Sequence, residues 1–371
     1  MRSPTVKILF AVLCLFAAAL PVQARTRRSL PVWEWSLAAS LGMTYDDNVL
    51  GFSERDRNNF LRDPDSFPTP LKSVDDLETT LTVRPALQWR APLTLMVSGD
   101  YRLKAVHRVR NGFSDYQTHL VGLSLRPRKF GYPWSVRLRI LAIPSHYLRV
   151  YRDRDYSQRF ATRYSNWDYA ASFRYRVMSP LWLEAGASYG TYYYNDKFTE
   201  YDSEQRDFTL GASGDLPWSE TRLNVGYTRR FSDNVGKNQA GALRVVPGEP
   251  GEIEDTEYGD SDYNEDDIAL SISAALPTAR FLPTEGALGY RHRRRVYTTE
   301  RPLSSDPFHR GRLDNRGQWQ ISLTTHPSRV WETEVFFAYE SRRTDSEEPI
   351  VPLVKDFIRR EIGLILTYRI R

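Results

Sequence analysis

The stretch WSLAASLGMTYDDNVLGF, residues 35–52, decides how the chain is read. Trp35, Leu37, Ala39, Leu41, Met43 and Tyr45 alternate with Ser36, Ala38, Ser40, Gly42 and Thr44. A period of two belongs to a strand, because successive side chains leave a strand on opposite faces. One phase is large and apolar; the other is small or polar. Such a strand faces lipid on one side and a lumen on the other, and it stops at Asp46-Asp47-Asn48 because it has reached water.

The alternation recurs through the chain. The apolar phase holds Leu77, Leu81, Val83, Leu87 and Trp89, then Trp167, Tyr169, Ala171, Phe173, Tyr175 and Val177. It returns at Trp331, Thr333, Val335, Phe337 and Tyr339, and again at Ile358, Ile362, Leu364, Leu366, Tyr368 and Ile370. The strand near 115–126 is ambiguous in phase, and the one around Leu288 and Tyr290 is weak. Segments of roughly ten alternating residues suit a tilted membrane strand. The expected fold class is all-β: a single transmembrane antiparallel up-and-down β-barrel of about fourteen strands, within a range of twelve to sixteen.

The connectors alternate too. Short ones fall at 90–92, 126–133, 178–180, 217–219, 277–284 and 326–329. Long polar ones fall at 46–74, 110–114, 150–162, 195–204, 232–265, 299–311 and 342–355. Short periplasmic turns and long outer loops are the plan of bacterial outer-membrane barrels. Trp33, Trp35, Trp89, Trp134, Trp182, Trp218 and Trp331 lie near the short-turn ends. Tyr45, Tyr151, Tyr164, Tyr193, Tyr297 and Tyr339 lie near the long-loop ends. Aromatic girdles at both interfaces are expected of such a barrel. A secreted sandwich or soluble barrel shares the strand pattern but has no reason to sort tryptophan in this way.

Composition agrees. Residues 1–24 have the form of a signal peptide, with Arg2 and Lys7 before an apolar run and Val22-Gln23-Ala24 at the cleavage site. This leaves residues 25–371 as one barrel domain. The only cysteine, Cys14, lies in the leader, so disulfides and thiol chemistry are not expected. The mean hydropathy of −0.53 suits a barrel, which hides its apolar content by alternation.

The pentapeptide Tyr45-Asp46-Asp47-Asn48-Val49 after a first alternating strand resembles a family of outer-membrane β-barrels that includes porins encoded with exopolysaccharide secretion systems and the barrels of some surface-protein exporters. The resemblance implies a role in exopolysaccharide export. The chain departs from the usual aromatic ending of such barrels, closing on Tyr368-Arg369-Ile370-Arg371. For Asp46, Asp47 and Asn48 the simpler reading is a turn, since short polar side chains bond nearby backbone. The sharper one has them line the outer mouth or hold a cation.

The inward phase is basic. It carries Arg84, Arg102, Lys104, Arg137, Arg139, Arg174, Arg176, Arg222, Arg230, Arg291, Arg293, Arg295, Arg312, Arg316 and Arg359. Its acids are fewer: Asp100, Glu184, Asp207, Asp314, Glu332, Glu334 and Glu361. A narrow lumen with surplus arginine attracts anions, and arginine binds carboxylates and phosphates bidentately. The competing reading pairs these arginines with the acids as a structural network that plugs the lumen.

Loop 232–265 is acidic and reads as a solvated loop or a lid over a basic pore. Asp260, Asp262 and Asn264 mimic the start of a calcium loop but lack the glycine and final glutamate of an EF-hand. His107, His119, His146, His292, His309 and His326 form no hydrolase pattern; Asp306 beside His309 is the nearest approach to one. No phosphate loop, metal spacing or cofactor motif is present. The reading is therefore a passive pore or secretion conduit, anion-preferring and not an enzyme. The alternative is a non-conducting structural, adhesion or docking barrel. Expected partners are outer-membrane lipid and lipopolysaccharide, a polysaccharide or other anionic substrate, and periplasmic export components. No cofactor and no nucleic acid is expected.

Overall fold

The computed structural model describes residues 32–370 apart from 66, 68, 92–94, 128–132, 153–157, 217–219, 238–258 and 278–281. The leader, Trp218 and most of the acidic loop lie outside the described residues. Fourteen strands run in chain order: β1 Trp33–Asp46, β2 Asp76–Arg90, β3 Leu95–Arg108, β4 Tyr116–Pro127, β5 Trp134–Arg152, β6 Arg159–Arg176 and β7 Trp182–Tyr194. They continue as β8 Ser203–Asp215, β9 Thr221–Asn234, β10 Tyr263–Leu276, β11 Thr284–Tyr297, β12 Leu313–Thr325, β13 Trp331–Asp345 and β14 Phe357–Ile370. Two helices sit in connectors, α1 Glu54–Arg62 and α2 Ile350–Lys355. Each strand pairs antiparallel with its sequence neighbours, and β1 pairs with β14 to close the barrel.

Register fixes which side chains face out. Leu37↔Ile370, Leu41↔Leu366 and Met43↔Leu364 close the seam with apolar residues on one phase. The same phase carries Leu41, Leu210, Phe208, Val225, Ile321 and Ile362, all exposed large hydrophobics. On a soluble protein so continuous an apolar belt would aggregate; around a closed barrel it is the lipid face. β4 joins it through Val121, Leu123 and Leu125, paired with Tyr101, Gly99 and Val97. Its phase was illegible because Leu120 points inward while Gln117 and His119 point out. β11 is a full strand whose outward phase includes Gly286, His292 and Arg294, which explains its weak apolar signal.

The girdles need correction. Trp33 stacks on Trp89 at 5.5 Å, and Trp331 packs on Tyr368 at 4.8 Å, all on the outward phase at the short-turn end. Trp182 instead pairs with Arg176 on the inward phase. Of the loop-end tyrosines, Tyr45, Tyr193 and Tyr339 face out. Tyr151 and Tyr297 are buried, and Tyr164 points inward against His146. Sorting along the strand was legible; sorting between faces required the register.

β5 is the exception to regular pairing. Register shifts fall between Ile143 and His146 and between Tyr147 and Val150. Each inserts an extra residue, and bulges of this kind bend a strand and re-aim its side chains. They direct the loop end of β5 toward the connector between β1 and β2, called loop 1 below.

Candidate functional site

The Tyr45–Asn48 motif is the clasp of the barrel seam. Tyr45 faces outward and donates to Asp75 at 3.0 Å. Asp46 faces inward, 1% exposed, and accepts from Arg359 Nε at 2.9 Å. Asp46 lies opposite Glu361 in the register, and Arg359 bridges both carboxylates. Asp47 accepts from the Arg360 amide at 2.7 Å. Asn48 turns the chain inward: its Nδ2 donates to the Phe52 and Ile358 carbonyls at 2.8 and 3.0 Å, and its Oδ1 accepts from the Phe52 amide at 2.8 Å. The turn reading therefore holds for Asp46, which also accepts from the Asn48 amide at 2.9 Å, and for Asn48, while Asp46 is a lumen ion-pair partner as well and Asp47 bonds across the seam to β14. Gly51 completes the bend at φ 61°, beside the Phe357 ring, where a side chain would be strained.

Loop 1 carries its own small core. Val49, Phe52, Phe60, Leu71 and Val74 are buried together, with Phe67 edge-on to both Phe52 and Phe60. Ser53 caps α1 by accepting from the Asp56 amide at 3.1 Å. Arg149 on β5 holds the loop from the far side. It donates to the Gly51 carbonyl at 2.9 Å, pairs with Asp56 at 3.3 Å and lies 4.5 Å above the Phe52 ring. The loop is thus pinned to β14 on one side and β5 on the other. Below it lies a cavity of about 720 Å³ lined by both loop 1 residues and inward strand residues, among them Lys104, Arg108, Arg316, Arg342 and Arg359.

The inward cations fall into two sets. The first is neutralised. Arg84 and Arg137 share Asp100, at 3.6 and 3.0 Å. Gly122 makes the second contact fit, because a Cβ there would stand 2.6 Å from the Asp100 Oδ1. Arg291 bonds Asp267 through Nε at 2.9 Å, Arg293 lies 3.7 Å from Glu340, and Arg316 contacts the same Glu340. Arg230 pairs with Asp207 and Glu265, Arg295 with Glu265, Arg222 with Asp215 and Arg359 with Asp46. The second set is Arg102, Lys104, Arg139, Arg174 and Arg176, with no ion pair to a carboxylate among the described residues. They descend one wall, from β3 through β5 to the short-turn end of β6. Arg102 and Arg139 flank neighbouring inward positions of β4, opposite Leu120 and Gly122. Arg174 and Arg176 lie over the Trp182 ring at 4.7 and 5.5 Å, and Arg174 also donates to Ser213 at 2.7 Å.

Arg312 does not line the lumen. It is 1% exposed, bonded to Asp314 at 2.7 Å and stacked 4.4 Å over Tyr297, inside the connector before β12. Reading the sequence by surplus also undercounted acids. Asp46, Glu78, Glu265, Asp267 and Glu340 share the inward phase and supply most of the partners above. Arg108 and Arg342 were missed for the same reason, being near strand ends. His309 and Asp306 are hydrogen-bonded at 2.8 Å but fully buried, with the Asp260 amide also on Asp306, so the pair staples a connector. At the described edge of the acidic loop, Lys237 contacts Asp262 and lies 3.8 Å from Asp260, while Asn264 takes the outward phase of β10. The hydrogen bond that Lys237 donates to Asp262 raises the pKa of its ammonium, and burial followed by the nearby Asp262 charge raises that of Asp260.

A closed fourteen-stranded antiparallel barrel with an apolar outer belt and a charged interior is an outer-membrane β-barrel that crosses the membrane with its strands. No protein-family model matches the chain, and no curated protein sequence matches it. Among solved structures it is similar to a bacterial polysaccharide outer membrane secretin, at 11% identity and TM-score 0.42, covering 90% of this chain and 98% of that one. It is also similar to an anion-selective porin from Comamonas acidovorans, at 8% identity and TM-score 0.43, covering 91% and 99%. A third is OmpT, an outer membrane protein of Vibrio cholerae, at 8% identity and TM-score 0.44, covering 92% and 100%. At such identities the likeness is one of barrel architecture alone.

Proposed function

We propose that the barrel is a passive outer-membrane pore that prefers anions and serves as a secretion conduit for an acidic polysaccharide, with its short turns and both termini toward the periplasm. The observation that carries this reading is the wall of β3, β5 and β6. Arg102, Lys104, Arg139, Arg174 and Arg176 run down it without an ion pair to a carboxylate among the described residues, so more of their charge is left for the lumen than in the paired set. In a confined lumen, uncancelled positive charge concentrates anions and repels cations. Guanidinium groups bind carboxylates, and several such sites in series let a polyanion pass from one to the next, which is what a conduit requires. Outer-membrane lipid and lipopolysaccharide surround it, and periplasmic export components deliver the chain to its short-turn mouth.

The test is the reversal potential of single channels in planar bilayers under a salt gradient. Wild-type protein should favour anions. Replacing Arg102 and Arg139 together by glutamate reverses the sign of the middle of the stripe, so selectivity should fall or invert at low salt. At 1 M salt, where the Debye length is about 3 Å, the difference should shrink. Cation selectivity in the wild type sinks the reading. Absence of conductance in well-folded barrel also sinks it and favours the docking barrel, whose supporting observation is loop 1 seated over the lumen.

A further inference from the structure

The cavity beneath loop 1 shares Lys104 with the conduction stripe and sets neutral hydrogen-bonding groups beside it. Its volume of about 720 Å³ lies within the range of roughly 300–1,000 Å³ typical of small-molecule sites. The arginines that line it are already engaged. Arg108 lies 3.6 Å from Glu78, Arg149 pairs with Asp56, Arg316 with Glu340 and Arg359 with Asp46, while Arg342 donates to the Lys355 carbonyl at 2.6 Å. Lys104 lines the same cavity and has no ion pair among the described residues. Glu78 and Glu361 line it as well, and Glu361, which shares Arg359 with Asp46, lies within the field of Lys104. Among the described residues the six basic side chains of the lining, Lys104, Arg108, Arg149, Arg316, Arg342 and Arg359, still outnumber by one the carboxylates that line the cavity or pair with them, Asp46, Asp56, Glu78, Glu340 and Glu361.

Two polar atoms in it, the Tyr147 hydroxyl and His146 Nδ1, are buried without a well-formed hydrogen bond; Thr69 lies near the hydroxyl and the Tyr147 backbone near the imidazole. Buried polar atoms are nearly always hydrogen-bonded, so an exception invites a ligand or an ordered solvent molecule. Both come from the bulged segment of β5, and both rings are held in place. Tyr147 meets Phe113 edge-on at 4.8 Å with Arg163 5.4 Å over its face. His146 sits between Tyr116 at 4.8 Å and Tyr164 at 5.2 Å. Rings clamped in this way present their heads in fixed positions, which reduces the entropy lost on binding.

A surplus of one positive charge, two fixed neutral hydrogen-bonding heads and the adjoining aromatic edges of Tyr116 and Phe357 suit a hydroxylated monoanion better than a bare inorganic anion. We propose that the cavity beneath loop 1 binds one anionic sugar unit, a hexose ring bearing a carboxylate, with Lys104 anchoring the charge and Tyr147 and His146 bonding its hydroxyls. This rests on the proposed passage of an acidic polysaccharide and locates one subsite on its route.

Isothermal titration of the folded barrel in detergent tests it, with D-glucuronate, D-glucose and inorganic phosphate as separate probes. Glucuronate should bind more tightly than either of the others. Lys104→Gln and Tyr147→Phe should each weaken it by about tenfold or more, as expected for losing one contact to a charged or hydroxylated ligand. Arg206→Gln, on the outward face of β8, should leave it unchanged. Tyr147→Phe keeps the ring against Phe113, and heat-modified gel mobility will confirm the fold; should that variant not fold, Lys104→Gln decides alone. Glucuronate binding no tighter than glucose or phosphate overturns the proposal, as does binding indifferent to both cavity variants. Conductance is measured without sugar, so a barrel that binds glucuronate yet passes no ions keeps the site and loses the pore, and the reverse result does the opposite.

Discussion

At the loop end of the barrel, Glu265 lies 3% exposed between Arg230 at 3.0 Å and Arg295 at 2.8 Å, each its direct cross-strand neighbour. At the short-turn end, Arg222 and Asp215 meet at 3.0 Å with their side chains 50% and 56% exposed. The inward positions around the second pair are small: Gly211, Ser213, Gly226, Ala269 and Ser271 line a cavity of about 400 Å³ there. The loop-end half is therefore cross-braced by desolvated charge and covered by loop 1, while at the short-turn end the Arg222–Asp215 pair stays half in water. Arginine is locked in buried ion pairs in the first half, whereas in the second Arg222 keeps its pair in water and Arg174 and Arg176 have no carboxylate partner among the described residues. Dielectric surroundings and partner supply decide which, not residue identity.

The largest expected effect breaks the braced half at its seam. Arg359→Gln leaves Asp46 and Glu361 opposed in register without their shared cation. Removing one member of a buried ionic cluster typically costs about 3–5 kcal/mol, and like charges directly across a ladder add to that. Urea unfolding of vesicle-inserted barrel should show the loss. A cost below about 1 kcal/mol, the level of an exposed pair, would mean that the loop end is as wet as the turn end.

Next comes the lipid face, which both halves share. Leu270 is outward and exposed on β10, and Leu270→Arg should destabilise insertion by about 2–4 kcal/mol if it lies near the midplane. Its inward neighbour Ser271 bonds Asn224 at 3.0 Å and should tolerate Ser271→Gln with far less loss. Equal tolerance at the two sites would refute the strand phase and, with it, the distinction between outside and lumen.

A smaller effect is expected from the lid. Asn48→Ala removes three side-chain hydrogen bonds that bend loop 1 inward and leaves the Ile358 and Phe52 carbonyls without that donor, at about 1–3 kcal/mol. Because the bonds hold loop 1 rather than the strands, local opening should exceed global destabilisation. Hydrogen exchange should speed up over 49–62 while β9 to β11 stay protected. Uniform acceleration would show that loop 1 and the braced network are one cooperative unit.

How much of this was legible follows from the parity of strands. The period of two around Leu41, Phe173 and Leu364 gave strand existence, count and outward face, because lipid demands one apolar phase throughout. The lumen was less legible. Glu265 was read as part of an acidic loop, although it shares the phase of Ser271 and Ser273; carrying the parity to the strand end would have placed it opposite Arg295. Trp182 followed the tryptophan girdle in position but not in phase, and its inward phase was readable from Leu181 and Leu183. The bulges of β5 could not be read, since Pro144-Ser145 marks an interruption without saying which way the following His146 and Tyr147 turn. Nor does any local pattern show that loop 1 folds over the lumen, because its anchors, Arg149 and Ile358, are remote in sequence.

The smallest effect tests the wet half. Asp215→Asn removes the carboxylate facing Arg222, and both side chains keep about half of their surface in water. Exposed pairs of this kind contribute about 0–1 kcal/mol, because water solvates both partners before and after the change and salt screens what attraction remains. Stability should therefore move by less than about 1 kcal/mol. The charge removed is nevertheless real, so the short-turn mouth becomes more positive, and anion preference should rise slightly at low salt and not at high salt. A stability loss comparable to that of Arg359→Gln would place Asp215 in a low-dielectric network like that of Glu265. The two halves would then be braced alike, and the contrast between them would reduce to loop 1 alone.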